Sequence, residues 1–237
     1  MSKNWIKQVA WVADEWAPGP VRGVVLAFHG LGYTELRDRP RSTEELEWGR
    51  AGGLVVAPYY GPWSWMNRQA RAFVDELVRT IYLDYGLSAA TPLISTGGSM
   101  GGCSSLLYTR YARQPVAACL AIAPVCDVAY HFTERPDLPR TFHDAFRGYP
   151  EPFEELMAEH SPLCQVAAMP DIPYLVMHGD NDNAVNKERH SDRFVAAMKA
   201  QKRRIEYLTV PKNDHGDPLP LALLQRKIEF VISHFGP

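Results

Sequence analysis

The sequence predicts an α/β protein, a mostly parallel central sheet with helices on both faces. Two kinds of observation carry this. Short, nearly unbroken apolar runs such as Val24-Val25-Leu26-Ala27-Phe28 and Tyr174-Leu175-Val176-Met177 alternate with segments of helical spacing. Unbroken apolar strands belong to parallel sheets covered on both faces, and alternation with helices implies right-handed crossovers. One strand-like run, Pro92-Leu93-Ile94-Ser95-Thr96, passes into Gly97-Gly98-Ser99-Met100-Gly101-Gly102 and then into a helix-compatible stretch from Ser104 to Arg113. A serine between glycines at a strand-to-helix turn sits where such sheets bind ligands, at the carboxyl ends of the strands.

The elements follow in order. Trp5 to Glu15 alternates loosely and suits one or two antiparallel edge strands, broken by Pro18-Gly19-Pro20. Val21 to Phe28 is a buried strand. Ser42-Thr43-Glu44-Glu45 offers a helix N-cap with early acids leading to Trp48, a favourable pairing of cap and dipole. Gly53 to Ala57 is a strand ended by Pro58. Gln69 to Tyr85 carries Ala72, Phe73, Leu77, Val78, Ile81 and Tyr82 on one helical face, with Gly86 as its stop. Pro92 to Thr96, Val116 to Val125, Tyr174 to Met177 and Arg204 to Val210 complete the strands. Lys187 to Gln201 and Pro220 to Phe235 read as helices. Between Tyr130 and Val166 five prolines and many aromatics interrupt the alternation. The segment 130–166 reads as a small cap inserted into one domain spanning 1–237.

Composition narrows the function classes. Hydrophobic residues at 46% and charged residues at 22% fit a globular protein. A formal net charge of -2 gives no electrostatic case for nucleic acid or an anionic membrane as partner. No apolar run approaches the ~18–20 residues that span a bilayer. The N-terminus Met1-Ser2-Lys3-Asn4-Trp5-Ile6-Lys7 lacks the apolar core of a signal peptide, so the expected location is cytoplasmic. Cys103, Cys119, Cys126 and Cys164 form no C-x-x-C pair and no zinc-ligand spacing; buried reduced thiols and no metal are expected. Whether the chain forms a homodimer stays open.

Gly97-x-Ser99-x-Gly101 has the strand–turn–helix setting of a nucleophile elbow, a serine held on a strained turn. Glycines let the backbone turn sharply and let a substrate approach. A phosphate loop fails for want of a following Lys-Ser/Thr. Three further segments fall into register: Phe28-His29-Gly30-Leu31-Gly32, His178-Gly179-Asp180-Asn181-Asp182-Asn183-Ala184-Val185, and Asn213-Asp214-His215-Gly216. Ser99, Asp182 and His215 occur in the chain order Ser…Asp…His. Asp180 competes with Asp182 for the acid position, and spacing from His178 favours Asp182. An EF-hand reading of Asp180-x-Asp182 fails because Ala184 stands at the fifth position and no glycine at the sixth. His29 and His178, each closing a strand before glycine, are expected to hold loops, and His190 to lie solvated on a helix.

These segments resemble the α/β-hydrolase superfamily, more narrowly its prolyl-oligopeptidase-like and dienelactone-hydrolase-like branch of small serine esterases. The similarity rests on Gly97-Gly98-Ser99-Met100-Gly101-Gly102, Ser161-Pro162, His178-Gly179-x-x-Asp182-x-x-Val185 and Asp214-His215-Gly216, and it covers roughly Val21 to Phe235. Dienelactone hydrolases typically carry cysteine at the nucleophile position, where this chain has Ser99. Peptidases of the branch usually carry an N-terminal propeller, and here only a short segment precedes the strand at Val21.

The resemblance implies an α/β-hydrolase fold and a cofactor-independent serine hydrolase that cleaves a small-molecule carboxylic ester through an acyl-enzyme. Ser99 would be the nucleophile, His215 its base and Asp182 the orienting acid. The backbone N–H groups of Met100 and of Leu31 (or Gly32) would form the oxyanion hole. The loop Tyr59 to Trp65 should reach the cleft rim, so Tyr60, Trp63 and Trp65 are candidate substrate contacts; Phe132, Phe142, His143 and Phe146 of the cap fit packing better. Alternatives are a peptidase or thioesterase on the same residues, or a non-catalytic binding protein of the same fold.

Overall fold

In the computed structural model, which describes residues 3–16, 19–40 and 42–237, seven strands form one sheet in the order β1-β3-β2-β4-β5-β6-β7. They are β1 (Ala10–Val12), β2 (Gly23–Phe28), β3 (Gly53–Pro58), β4 (Leu93–Gly98), β5 (Val116–Ile122), β6 (Tyr174–Gly179) and β7 (Ile205–Val210). Every pairing is parallel except β1 with β3. The carboxyl ends of β2 to β7 therefore share one edge of the sheet, where Phe28 is in register with Gly97 and Gly97 with Ala121.

Strand periodicity divides the core. Val24, Leu26 and Phe28 of β2 join one apolar cluster, while Val25 and Ala27 join another on the opposite face. Helices α1 (Lys3–Val9), α3 (Arg68–Asp84) and α4 (Met100–Tyr111) supply Ile6, Val74, Leu77, Ile81, Cys103 and Leu107 to the first cluster. Helices α2 (Thr43–Arg50) and α9 (Leu221–Ile232) supply Trp48, Ile228, Phe230 and Val231 to the second. Each such buried side chain stabilises the fold by about 1.5–3 kcal/mol. Helix α3 starts at Asn67, whose Oδ1 accepts from Ala70 N–H at 2.9 Å, and ends one residue before Tyr85, with Gly86 at φ 63°.

Several elements differ from expectation. Trp5 to Val9 is the end of helix α1, and only Ala10–Val12 forms the antiparallel edge strand. Trp5, Ile6 and Val9 share one helical face and pack into the cluster that α3 builds, a burial that a strand would not give. Ser42 stands at the start of α2 without a side-chain cap bond. Glu44 and Glu45 are buried and paired with Lys227 and Arg37 rather than facing water. Ala72, expected on the buried face of α3, is exposed. The helix expected from Lys187 opens with a wide turn, in which Asp192 N–H reaches the Lys187 carbonyl at 3.0 Å, before α8 (Arg193–Ala200). That turn carries His190 into the interior, fully buried, so the expected solvated histidine is not found. Cys103, Cys119 and Cys126 are buried thiols as expected, whereas Cys164 is exposed. No helix among the described residues is long and apolar enough to cross a membrane.

Between β5 and β6 lie three short α-helices, α5 (Val128–Glu134), α6 (Leu138–Ala145) and α7 (Phe153–Glu159), followed by a 3₁₀ stretch over Pro162–Ala168. Ion pairs tie α7 to α3. Arg68 binds Glu151 at 2.7 Å and Glu159 at 2.5 Å, and Arg71 binds Glu159. His160, buried, donates from Nδ1 to the Leu156 carbonyl at 2.7 Å and accepts from Arg71 at 3.3 Å. Burial pushes its pKa down to about 4. Burial alone would raise Glu159, but hydrogen bonds from Arg68 and Arg71 hold it at about 2.

Both groups are depressed on folding, so both contribute stability that is present above their unfolded pKa and lost on acidification. His160 acts between ~6.5 and 4, Glu159 below ~4.3. Urea unfolding should show stability falling by about 2–3 kcal/mol from pH 6.5 to 4 on account of His160. The His160→Gln variant should lose that slope, and an unchanged slope would show that His160 is not its source.

Candidate active site

The turn from β4 into α4 fixes the position of Ser99. Its backbone sits at φ 59°, ψ -125°, a region that costs a non-glycine residue on the order of 1–3 kcal/mol. The surroundings enforce it. Ser99 N–H donates to the Ile122 carbonyl at 2.9 Å, and its own carbonyl accepts from Cys103 N–H at 3.1 Å. The flanking glycines are needed because the turn is packed backbone to backbone. A Cβ on Gly97 would lie 2.2 Å from the Gly101 carbonyl oxygen, and one on Gly101 would lie 2.3 Å from that of Phe28.

Opposite Ser99, the end of β2 runs into His29, Gly30 and Leu31. Gly30 approaches closely, the Cβ direction of Gly30 pointing to Ser99 Cβ at 3.9 Å. Gly32 N–H donates to the Pro62 carbonyl at 2.7 Å, which commits it to the loop and leaves Leu31 as the oxyanion donor candidate from this side. Met100 opens α4, so its N–H is among those without an intrahelical acceptor.

The loops after β6 and β7 bring Asp182 and His215 to Ser99. Ser99 Oγ and His215 Nε2 are 3.0 Å apart, and His215 Nδ1 is 2.7 Å from Asp182 Oδ2. Asp182 is further fixed by the N–H groups of Ala184 at 3.0 Å and Val185 at 2.8 Å, both to Oδ1. Burial would raise the Asp182 pKa, but hydrogen bonds from His178 and His215 hold it well below the usual carboxylate range. His178, fully buried, lies 3.2 Å from Asp182 Oδ2, donates to the Val185 carbonyl at 3.0 Å and bonds Ser191 Oγ at 2.6 Å. It holds the loop, as expected. Asp180 instead accepts from Lys212 N–H at 2.6 Å, away from His215.

Ser99 and His215 open onto a cavity of about 590 Å³ whose other walls include Trp65, His131, Arg135 and Val185. Trp65 is fully buried, stacked on Phe142 with centroids 4.2 Å apart, and its indole N–H donates to Thr141 Oγ1 at 3.0 Å. Tyr60 and Trp63 are corrected: they line a separate cavity of about 370 Å³. Tyr60 OH donates to the His29 carbonyl at 2.7 Å, so it supports the loop from beneath. The Trp63 indole donates to Asp144 at 2.7 Å. Following β3 places that aromatic loop near the cleft, but only its last tryptophan turns inward. Sequence reasoning missed His131, Glu134 and Arg135. Their signal, a His and a Glu three apart on a helix after the β5 strand, was present but masked by the aromatic, proline-broken composition of the insertion.

With this geometry in hand, the similarities are informative. Residues 73–236 match the model of the prolyl oligopeptidase family, and the chain belongs to that family of serine hydrolases. No curated protein gives a significant sequence match. Among solved structures, a puromycin-hydrolysing peptidase of Mycobacterium tuberculosis superposes with TM-score 0.74 at 22% identity, covering 95% of this chain and 36% of the peptidase. Dipeptidyl peptidase 4 of Porphyromonas gingivalis gives 0.71 at 17% identity, with 95% and 33% covered. Esterase 2 of Thermogutta terrifontis gives 0.65 at 18% identity, with 96% and 91% covered. These likenesses establish the α/β-hydrolase fold. The chain spans about a third of the length of the two peptidases.

Because the obstructing atoms at Gly101 are carbonyls of Phe28 and His29, a methyl group there cannot be relieved by a side-chain rotation. Gly101→Ala should lower unfolding stability by about 1–3 kcal/mol in denaturant titrations; an unchanged midpoint would contradict the packing described.

Proposed function

We propose that the protein hydrolyses small carboxylic esters by a two-step acyl-enzyme route, with Ser99 as nucleophile, His215 as general base and acid, and Asp182 as the orienting acid. The observation that carries this reading is the hydrogen-bonded chain from Ser99 Oγ through His215 to Asp182, opening onto a cavity of about 590 Å³. That volume is typical of small-molecule sites.

A serine hydroxyl needs a base as it attacks. Ser99 Oγ adds to the ester carbonyl while its proton passes to His215 Nε2, and the Asp182 carboxylate stabilises the imidazolium. The carbonyl oxygen becomes an oxyanion held by the N–H groups of Met100 and Leu31, each such donor worth ~3 kcal/mol. The carbon–oxygen bond breaks, His215 returns the proton to the departing alcohol, and the acyl group stays on Ser99. Water, deprotonated by His215, then releases the acid and restores the hydroxyl. No step in this scheme calls on a cofactor or metal.

A cavity of this size suits an ester or thioester of a small-molecule acid. The same residues would cleave an amide, a reading favoured by the fold likeness to a puromycin-hydrolysing peptidase. A panel of chromogenic esters, thioesters and aminoacyl anilides separates these, and clear preference for anilides would overturn the ester reading. Ser99→Ala should abolish turnover and fluorophosphonate labelling without unfolding the protein. Asp182→Asn should lower kcat by about 10⁴ through the wrong histidine tautomer. Wild-type protein that resists the fluorophosphonate would instead support a binding role.

A further inference from the structure

Glu44, Glu45 and His131 are buried polar side chains that line the Ser99 cavity; the glutamates are ion-paired with Lys227 and Arg37, and His131 takes no part in the chemistry above. His131, on α5, is 3% exposed and lines that cavity with Trp65, Arg135 and Val185. Its Nδ1 is hydrogen-bonded to Glu134 Oε2.

The ligand atoms of His131, Glu134 and His190 lie within 4.8 Å of one another, a spacing that suits a cation, but the protons argue against one. His190 Nδ1 accepts two backbone N–H bonds, from Cys126 at 3.1 Å and Asp127 at 3.0 Å. The ring proton must then sit on Nε2, which lies 2.9 Å from Glu134 Oε2. A metal there would require an imidazolate. The cluster is instead a carboxylate accepting from two histidines, with Asn186 N–H on its other oxygen at 3.0 Å. Burial would raise Glu134, but the hydrogen bonds from His131 and His190 hold it ionised, well below the usual carboxylate range.

An ionised Glu134 fixes the proton of His131 on Nδ1. Burial pushes the His131 pKa down, so the ring is neutral at neutral pH and Nε2 keeps its lone pair. With Nδ1 engaged, Nε2 is the nitrogen available to whatever fills the cavity. A group buried this deeply belongs with the part of the substrate that stays on Ser99, because the leaving group must exit to water. A polar group in such a wall favours a ligand that completes its hydrogen bond and penalises one that leaves it bare.

We propose that His131 is a specificity-determining residue whose Nε2 accepts a hydrogen bond from a hydroxyl or N–H on the acyl group of the substrate. This rests on reading the site as an acyl-transfer centre. The probes are the p-nitrophenyl esters of para-hydroxyphenylpropanoate and para-methylphenylpropanoate, nearly equal in size and differing in one donor. Wild-type protein should favour the hydroxy ester by about tenfold in kcat/KM. His131→Asn keeps a donor for Glu134 but withdraws the acceptor. It should bring the ratio of the two kcat/KM values near one. His131→Gln, whose amide oxygen reaches the position of Nε2, should retain much of the preference.

Equal kcat/KM for the two esters in wild-type protein, or an undiminished ratio in His131→Asn, would overturn the proposal. If His131→Asn loses its fold, the wild-type ratio and the Gln variant decide. If wild-type protein turns over neither ester, this acyl group is not a substrate, and the ester reading is judged on the wider panel. The relative affinities of the two free acids for Ser99→Ala protein, with and without His131→Asn, then decide the subsite alone.

Discussion

The close backbone packing at the β4–α4 turn is the constraint on which the site depends. Ser99 holds a left-handed conformation because its N–H and carbonyl are both engaged, by Ile122 and Cys103, and because glycine at 97 and 101 lets carbonyl groups pass where a methyl would collide. The side chain of Ser99 and the amide of Met100 belong to consecutive residues, so one backbone geometry aims both. Strain of this kind persists only where neighbours over-determine it, and here β2, β5 and α4 all meet at the turn.

Parallel pairing supplies the remaining partners. β6 and β7 run alongside β5 in the same direction, so the loops after them emerge at the edge where Ser99 stands. The Asp182 loop is then held from inside by His178, which spans from Ser191 to the Val185 carbonyl. Asp182 therefore meets His215 from a fixed direction, and the hydrogen-bonded chain does not depend on flexible surface side chains.

How much of this was legible in the sequence varies with the kind of signal. Buried parallel strands are nearly unbroken apolar runs, and β2, β3, β5 and β6 fall where those runs stand; β7, with Glu206 and Thr209 and only Val210 buried, is a half-covered strand of mixed composition. The elbow, the His178–Asp182–Val185 spacing and the Asp214-His215-Gly216 turn are local patterns, so Ser99, Asp182 and His215 could be picked out before their proximity was known. What was not legible depends on long-range packing. Trp5 and Ile6 are helical because α3 offers them a surface, which local alternation does not reveal. Tyr60 and Trp63 share a loop with Trp65, and only tertiary contacts with Asp144 and the His29 carbonyl decide which ring turns toward Ser99. His190 sits in a wide helical turn set by Glu134, more than fifty residues earlier in the chain.

The placement of the inserted helices has a broader meaning. They leave the chain after β5 and return before β6, between the turn that carries Ser99 and the loops that carry Asp182 and His215. A connection of another length between β5 and β6 could thus replace these helices without moving the reacting groups. The exchange has conditions: the newcomer must bring an acid for His190 and Asn186, which reach across from the main body to Glu134, and acids for Arg68 and Arg71, which bind Glu151 and Glu159. Ligand preference in such an architecture is modular, yet keyed at a few carboxylates.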